Sequence, residues 1–316
     1  MTGEKNTEIN TQRAMLDFFA PLDYRLMMMY IDLMLERYSF ISVNYIGESL
    51  LGKGIPMITL GEGDKQVLYV GAHMGGDWTG SIILLKFVNE YCEILKNDGR
   101  IFNYSVKYLF GTRKICIVPM LNPDGVDINI NGVTEDNILK DRLLSMNNGD
   151  GDFSSWQANA RGVTLSGNYR AVFNEYRRRA AEEGITSGCA KGFSGERPES
   201  EPETGALCAY FRFNDRLSAA LSLNGRGERV FYKCGDVSVP RSKSIGEAVS
   251  RRSGYRLQEV GEQFGDCGFV GFCNSELKIP ALNLMYSGKN AGNVGDVCFD
   301  TYARLRETLF TFPALV

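Results

Sequence analysis

Residues 71–78, Gly-Ala-His-Met-Gly-Gly-Asp-Trp, put an imidazole, a thioether and a carboxylate into one short turn. These are residue types from which metal centres and proton relays are built. His73 is the only histidine in the 316-residue chain, so a zinc site with two imidazoles from one chain is excluded by counting. The eight cysteines (Cys92, Cys116, Cys189, Cys208, Cys234, Cys267, Cys273 and Cys298) contain no Cys-x-x-Cys pair. Several lie in apolar runs where a thiol packs as a small hydrophobe, and free thiols in a reducing cytosol are the expectation. A nucleophilic Cys267 or Cys273 would need an activating base, and a metal would compete for the same single histidine.

Hydrophobic periodicity supplies the elements that must position these groups. Residues 12–38 carry apolar residues at helical spacing, with Tyr24 to Tyr38 held against a core and Met27-Met28-Met29 as packing. Strands are expected at 41–46, 55–60 and 67–70, the last two separated by the turn Gly61-Glu62-Gly63-Asp64. A helix over 81–95 and a strand over 115–121 follow, the strand closing in a turn at Asn122-Pro123-Asp124-Gly125. The polar stretch 145–174 is too long for an ordinary connection and reads as a functional loop. Ser200-Glu201-Pro202-Glu203 has capping-box form and opens a helix through about Phe213. The last third gives a strand at 217–223 ending in Asn224-Gly225, helices at 242–252 and 269–277, a strand at 281–285 and a closing helix at 300–310. Strands alternating with helices, without repeats or low-complexity linkers, indicate one α/β domain. Ligand sites in such sheets gather outside the carboxyl ends of strands, here Gly71, Leu121, Asn224 and Tyr286.

Composition is that of an ordinary globular chain, with 44% apolar and 23% charged residues. A net charge of -3 gives no electrostatic attraction to nucleic acid or to an anionic membrane. The run Arg177-Arg178-Arg179, followed by Glu182-Glu183, reads as a solvated helix face. No apolar stretch is long enough to span a bilayer. The polar start Met-Thr-Gly-Glu-Lys-Asn-Thr-Glu lacks a secretory pattern, so a cytoplasmic location is expected.

Five segments in order carry a resemblance: 71–78, Val-Pro-Met-Leu-Asn-Pro-Asp-Gly-Val-Asp at 118–127, Trp-Gln-Ala-Asn-Ala-Arg-Gly-Val-Thr-Leu at 156–165, Ser-Glu-Pro-Glu-Thr at 200–204 and Ile-Pro-Ala-Leu at 279–282. Together they resemble the zinc carboxypeptidases related to carboxypeptidase A, and within them bacterial enzymes that cut γ-D-glutamyl-diamino acid bonds of peptidoglycan. The resemblance implies a central mixed, mostly parallel twisted sheet with helices on both faces. It divides the chain into an N-terminal helical and strand extension over 1–45 and a carboxypeptidase-like domain over 46–316. In the family, a His-x-x-Glu pair and a later His bind zinc; here those positions hold Met74, Asp77 and Asn224. His73 would be a ligand only if the turn slipped by one residue. The catalytic Glu position holds Met285, which cannot accept a proton, and Glu276 lies on the preceding helix. The Asn-Arg clamp for the substrate carboxylate is replaced by Ser166-Gly167, while Arg161 and Arg226 could bring positive charge to another ligand or be structurally paired. A mobile tyrosine of the family maps near Gln263.

A scaffold kept without its reacting groups implies a non-catalytic homologue. No cofactor is expected, and the old cleft would bind a peptide, a cell-wall fragment or a protein partner. Two alternatives remain: a hydrolase with a rearranged site around His73 and Asp77, and a structural partner of an active paralogue.

Overall fold

Val67-Leu68-Tyr69-Val70 is apolar at every position because both faces of its strand are covered. Such runs build the centre of the fold in a computed structural model that describes residues 20–225, 227–237, 239–259, 267–287 and 294–316. The strands are β1 (Ser42–Glu48), β2 (Gly54–Leu60), β3 (Lys65–Val70), β4 (Arg100–Ile101), β5 (Tyr104–Ser105), β6 (Arg113–Val118), β7 (Leu217–Gly225), β8 (Arg229–Phe231), β9 (Arg256–Gln258) and β10 (Ala281–Tyr286). Eight of them form one sheet in the order β1-β2-β6-β3-β7-β10-β8-β9, and β4 and β5 make a separate short hairpin. The four central strands β6, β3, β7 and β10 run parallel, so their carboxyl ends share one edge.

Helices cover both faces. They are α1 (Tyr24–Arg37), α2 (Trp78–Lys96), α3 (Val106–Thr112), α4 (Pro123–Asn131), α5 (Lys140–Met146), α6 (Phe173–Glu182), α7 (Pro202–Arg212), α8 (Ser242–Ser253), α9 (Gly268–Phe272) and α10 (Val294–Thr311). Strand alternation sorts the core into two layers. Tyr69, Ile117, Leu221, Leu223, Leu282 and Leu284 pack with α1, α2, α8 and α10. Leu68, Val70, Val118, Ala220 and Ala281 face α7 and α9. Ser222 and Asn224 on β7, and Asn283 and Met285 on β10, lie on the α7–α9 face by the same alternation. No helix among the described residues is long and apolar enough to cross a membrane.

Residues 12–19 of the expected first helix lie outside the described residues, and β1 runs across residues 45 and 46. Two local expectations are corrected. Asn122-Pro123-Asp124-Gly125 is the start of α4, not a free turn: Asn122 Oδ1 accepts the Gly125 N–H at 3.0 Å and Pro123 takes the first helical turn, where its missing N–H costs nothing. The capping box before α7 does not form. Ser200 Oγ donates to Glu201 Oε1 at 2.7 Å, and the Glu203 carboxylate turns to Leu50 N and Asn159. Asn168, from a distant loop, holds this helix start instead, its Oδ1 accepting from Glu201 N at 3.2 Å and Thr204 Oγ1 at 2.5 Å. The expected helix over 269–277 is α9 followed by a π turn at Cys273–Leu277. Strands β8 and β9, three residues each, are too short to show a period.

Candidate functional site

Three of the five resemblance segments meet at the carboxyl edge of the sheet. Gly71 follows β3, and its carbonyl accepts the Leu121 N–H at 3.1 Å while Ala72 O accepts Asn122 N–H at 3.0 Å. Asn122, fully buried, donates through Nδ2 to His73 O and Ala158 O, both at 3.2 Å. A Cβ at Gly75 would stand 2.4 Å from Gly125 O and 2.8 Å from Trp156 O, so only glycine allows this contact. The turn is therefore clamped by its neighbours, with or without an ion. Met74, Asp77, Asn224 and Met285 all come to this edge, and each is at most 7% exposed. Asn224 and Met285 are register partners across β7 and β10. A Cβ at Gly225 would lie 2.7 Å from Asp77 Oδ1, which places that carboxylate beside the end of β7.

His73 sits beneath this edge. Its Nε2 lies 2.9 Å from Tyr169 Oη and its Nδ1 3.3 Å from Ser222 Oγ, and Phe269 packs on the ring at 5.6 Å between centroids. Asn224 Nδ2 donates to Ser222 Oγ at 3.0 Å and to Asn283 Oδ1 at 2.5 Å. The result is one buried chain of neutral groups, Tyr169–His73–Ser222–Asn224–Asn283. Burial pulls the His73 imidazole down from 6.5 to about 3, so at neutral pH the ring is uncharged, with one nitrogen donating and the other accepting.

This donor set does not fit a zinc ion of the family's kind. Zinc needs lone pairs from imidazole, thiolate or carboxylate. Both His73 nitrogens face protein hydroxyls, the Asn224 amide nitrogen is turned to Ser222 and Asn283, and Met74 offers a neutral thioether. Among the described residues no group of three or more His, Cys, Asp or Glu side chains is arranged to hold a metal. The two candidate thiols are placed otherwise: Cys267 Sγ lies against Cys234 Sγ at 2.6 Å, and burial pushes the Cys273 thiol far above its usual range. Glu276 points elsewhere, taking Arg212 Nε at 3.0 Å.

Ser166 and Gly167 are buried in a short 3-10 turn, and a Cβ on Gly167 would collide with the Tyr176 ring at 2.6 Å. No clamping side chain could stand there without moving Tyr176. Arg161 is set apart from Ser166 and Gly167, in a cavity with three other arginines. Arg226 and Gln263 lie outside the described residues. Of the arginine run, Arg178 and Arg179 pair with Glu175 as a solvated face would, but Arg177 lines the same cavity as Arg161.

Sequence reading missed a second buried polar cluster. Glu203 is fully buried, accepting from Leu50 N at 3.3 Å and Asn159 Nδ2 at 3.1 Å, and Asp124 beside it is ion-paired with Lys53 at 3.2 Å. Burial, helped by repulsion from Asp124, outweighs those hydrogen bonds and lifts the Glu203 carboxyl from 4.5 to about 7. The only local signal was a glutamate at the fourth residue of a capping-box pattern. Because the folded value is raised, this contribution to stability is complete below pH 4.5 and is lost as pH rises through about 7. The loss amounts to about 3 kcal/mol. Glu203→Gln is expected to remove that slope, read as urea midpoints across pH 4.5 to 8; an unchanged slope would show that the carboxyl is not held neutral.

The zinc carboxypeptidase family model matches residues 27–271. Gamma-D-glutamyl-L-diamino acid endopeptidase 1 of Lysinibacillus sphaericus is 31% identical over 233 residues, which is 74% of this chain and 58% of that protein. The chain thus spans less than two thirds of that relative's length. Among solved structures, bovine thrombin-activatable fibrinolysis inhibitor, in complex with tick carboxypeptidase inhibitor, superposes with a TM-score of 0.67 at 15% identity, covering 94% of this chain and 99% of that one. The murein-tripeptide amidase of Escherichia coli O157 superposes with a TM-score of 0.51 at 18% identity, covering 87% and 91%. These likenesses share the fold, and the family model spans most of the sequence: the chain belongs to the zinc carboxypeptidase family.

Proposed function

We propose that this protein is a pseudopeptidase, a zinc carboxypeptidase homologue without hydrolytic chemistry, whose old active-site cleft binds a peptide, a peptidoglycan fragment or a protein partner. The observation that carries this reading is the neutral chain Tyr169–His73–Ser222–Asn224–Asn283 at the edge where a metal and its water would work. A family site generates its nucleophile on the ion and moves the proton with a glutamate. Here Met285 can take no proton, and Asn224 is bonded into the protein. Met74 and Met285, buried at that edge in place of polar groups, favour a less charged ligand than a catalytic relative takes. The eight free thiols favour the cytoplasm as the place of action.

Freshly purified protein is expected to carry no stoichiometric zinc by atomic absorption and to leave a γ-D-glutamyl-diaminopimelate peptide uncut, while calorimetry with that peptide detects binding. Stoichiometric zinc lost on Asp77→Ala, together with turnover, would overturn the reading.

A further inference from the structure

We propose that the arginine-lined cavity is a binding site for a small, multiply charged anion bearing at least two carboxylate or phosphate groups. The cavity holds about 620 Å³, within the usual range of small-molecule sites. Its lining includes none of Met74, Asp77, Asn224 and Met285, so the proposal does not rest on the pseudopeptidase reading.

Among the described residues four arginines line this space, from four separate segments: Arg142 on α5, Arg161 in the loop between α5 and α6, Arg177 on α6 and Arg197 in the loop before α7. Most arginines elsewhere on the surface find carboxylates, as Arg178 does with Glu175 and Glu182, and Arg212 with Glu199 and Glu276. The cavity's arginines are poorly matched by comparison. Among the described residues the side chains of Arg142 and Arg197 have no ion pair or hydrogen bond. Arg177 reaches only the carbonyl of Glu196, at 3.4 Å.

Arg161 alone faces a buried carboxylate, Glu201 at 3.6 Å. That carboxylate is already shared, accepting from Asn159 Nδ2 at 2.8 Å and Ser200 Oγ at 2.7 Å. Glu201 thus orients Arg161 without neutralising the others. Among the described residues Glu196 is the one further carboxylate in the lining, and two carboxylates against four arginines leave a local positive excess in a chain of net charge -3.

Like charges gathered around one concavity repel, and an anion between them removes that repulsion. Planar guanidinium forks match carboxylate and phosphate oxygens two at a time. The hydroxyl of Ser187 in the lining adds a neutral donor. The wall is also built for close approach. At Gly195, whose φ is +92°, a Cβ would stand 2.6 Å from Ser200 Oγ, and at Gly188 one would stand 2.6 Å from Arg161 O.

The test is isothermal titration of the full chain at low ionic strength, with citrate as the carboxylate probe and pyrophosphate as the phosphate probe. Saturable binding of at least one probe is expected, weakening as sodium chloride is raised. The double variant Arg142→Ala/Arg197→Ala should weaken it by about tenfold or more, since both side chains are exposed and their loss removes charge-assisted bonds. The variant's urea midpoint should stay at the parent value, which separates lost binding from lost folding. Binding of citrate alone assigns carboxylates, and of pyrophosphate alone phosphates. No saturable binding of either anion, or binding unchanged in the double variant, would overturn the proposal. Zinc content measured on the same samples reports on the pseudopeptidase reading separately.

Discussion

His73→Gln is expected to abolish an acid-side loss of stability of about 3 kcal/mol between pH 7.5 and pH 4.5. The imidazole is a base whose folded value, about 3, is depressed below its ordinary 6.5 by burial. Between those values the unfolded chain binds the proton and the folded chain does not. Stability is therefore complete above pH 6.5 and falls as the pH is lowered toward 3, by up to about 5 kcal/mol in all. That is a large part of the 5–15 kcal/mol that typically holds a domain folded. Glutamine keeps one donor and one acceptor for Tyr169 and Ser222 but cannot take a proton there.

The measurement must be made as a difference between variants because Glu203 acts in the opposite direction. Its neutral carboxyl adds stability as pH falls from about 7 to 4.5, so the two groups nearly offset each other over much of that interval. Urea midpoints of Glu203→Gln should then fall steeply with acid, and those of His73→Gln should rise from pH 7 to 4.5. If both variants track the parent chain at every pH, the account of His73 as a ring buried neutral is wrong.

The triple variant Met74→His/Asp77→Glu/Asn224→His is expected to bind zinc stoichiometrically, gaining about 10 kcal/mol of metal-binding free energy over the parent chain. The scaffold needs no rebuilding. Asn122, Gly75 and Gly125 clamp the turn through backbone contacts that do not involve the substituted side chains. Asn283 Oδ1, which now accepts from the Asn224 amide, is placed to accept the second N–H of an imidazole introduced there, the kind of outer contact that orients a metal-bound ring. Hydrolysis is not expected to return with the metal, because Met285 supplies no base. Equilibrium dialysis with zinc reads the outcome. A folded triple variant that binds no more zinc than the parent would show that these three positions do not converge on one ion.

Much of the fold was legible because parallel central strands and covering helices write strong patterns. The run 67–70 and the helix over 81–95 emerged as β3 and α2 with boundaries moved by a few residues. The elements that were missed are short or held from a distance. Three-residue β8 and β9 carry no period, and the start of α7 is set by Asn168, which local spacing cannot reveal. The Ser200–Glu203 spacing is that of a box, but in the fold Ser200 bonds its neighbour Glu201 and Glu203 turns to Leu50 and Asn159.

The sequence by itself determined the family, through five ordered segments, and the chemistry that a single histidine rules out. Counting and residue type suffice for both, since no arrangement in space turns methionine into a base or creates a second imidazole. Only the tertiary structure decided what His73 is. Whether an imidazole meets water, a metal or two hydroxyls depends on Tyr169 and Ser222, which lie 96 and 149 residues away along the chain. The arginine cavity likewise needs four segments to close on one space. Arg161 could be named from sequence as a charge near a cleft, but its three companions could not.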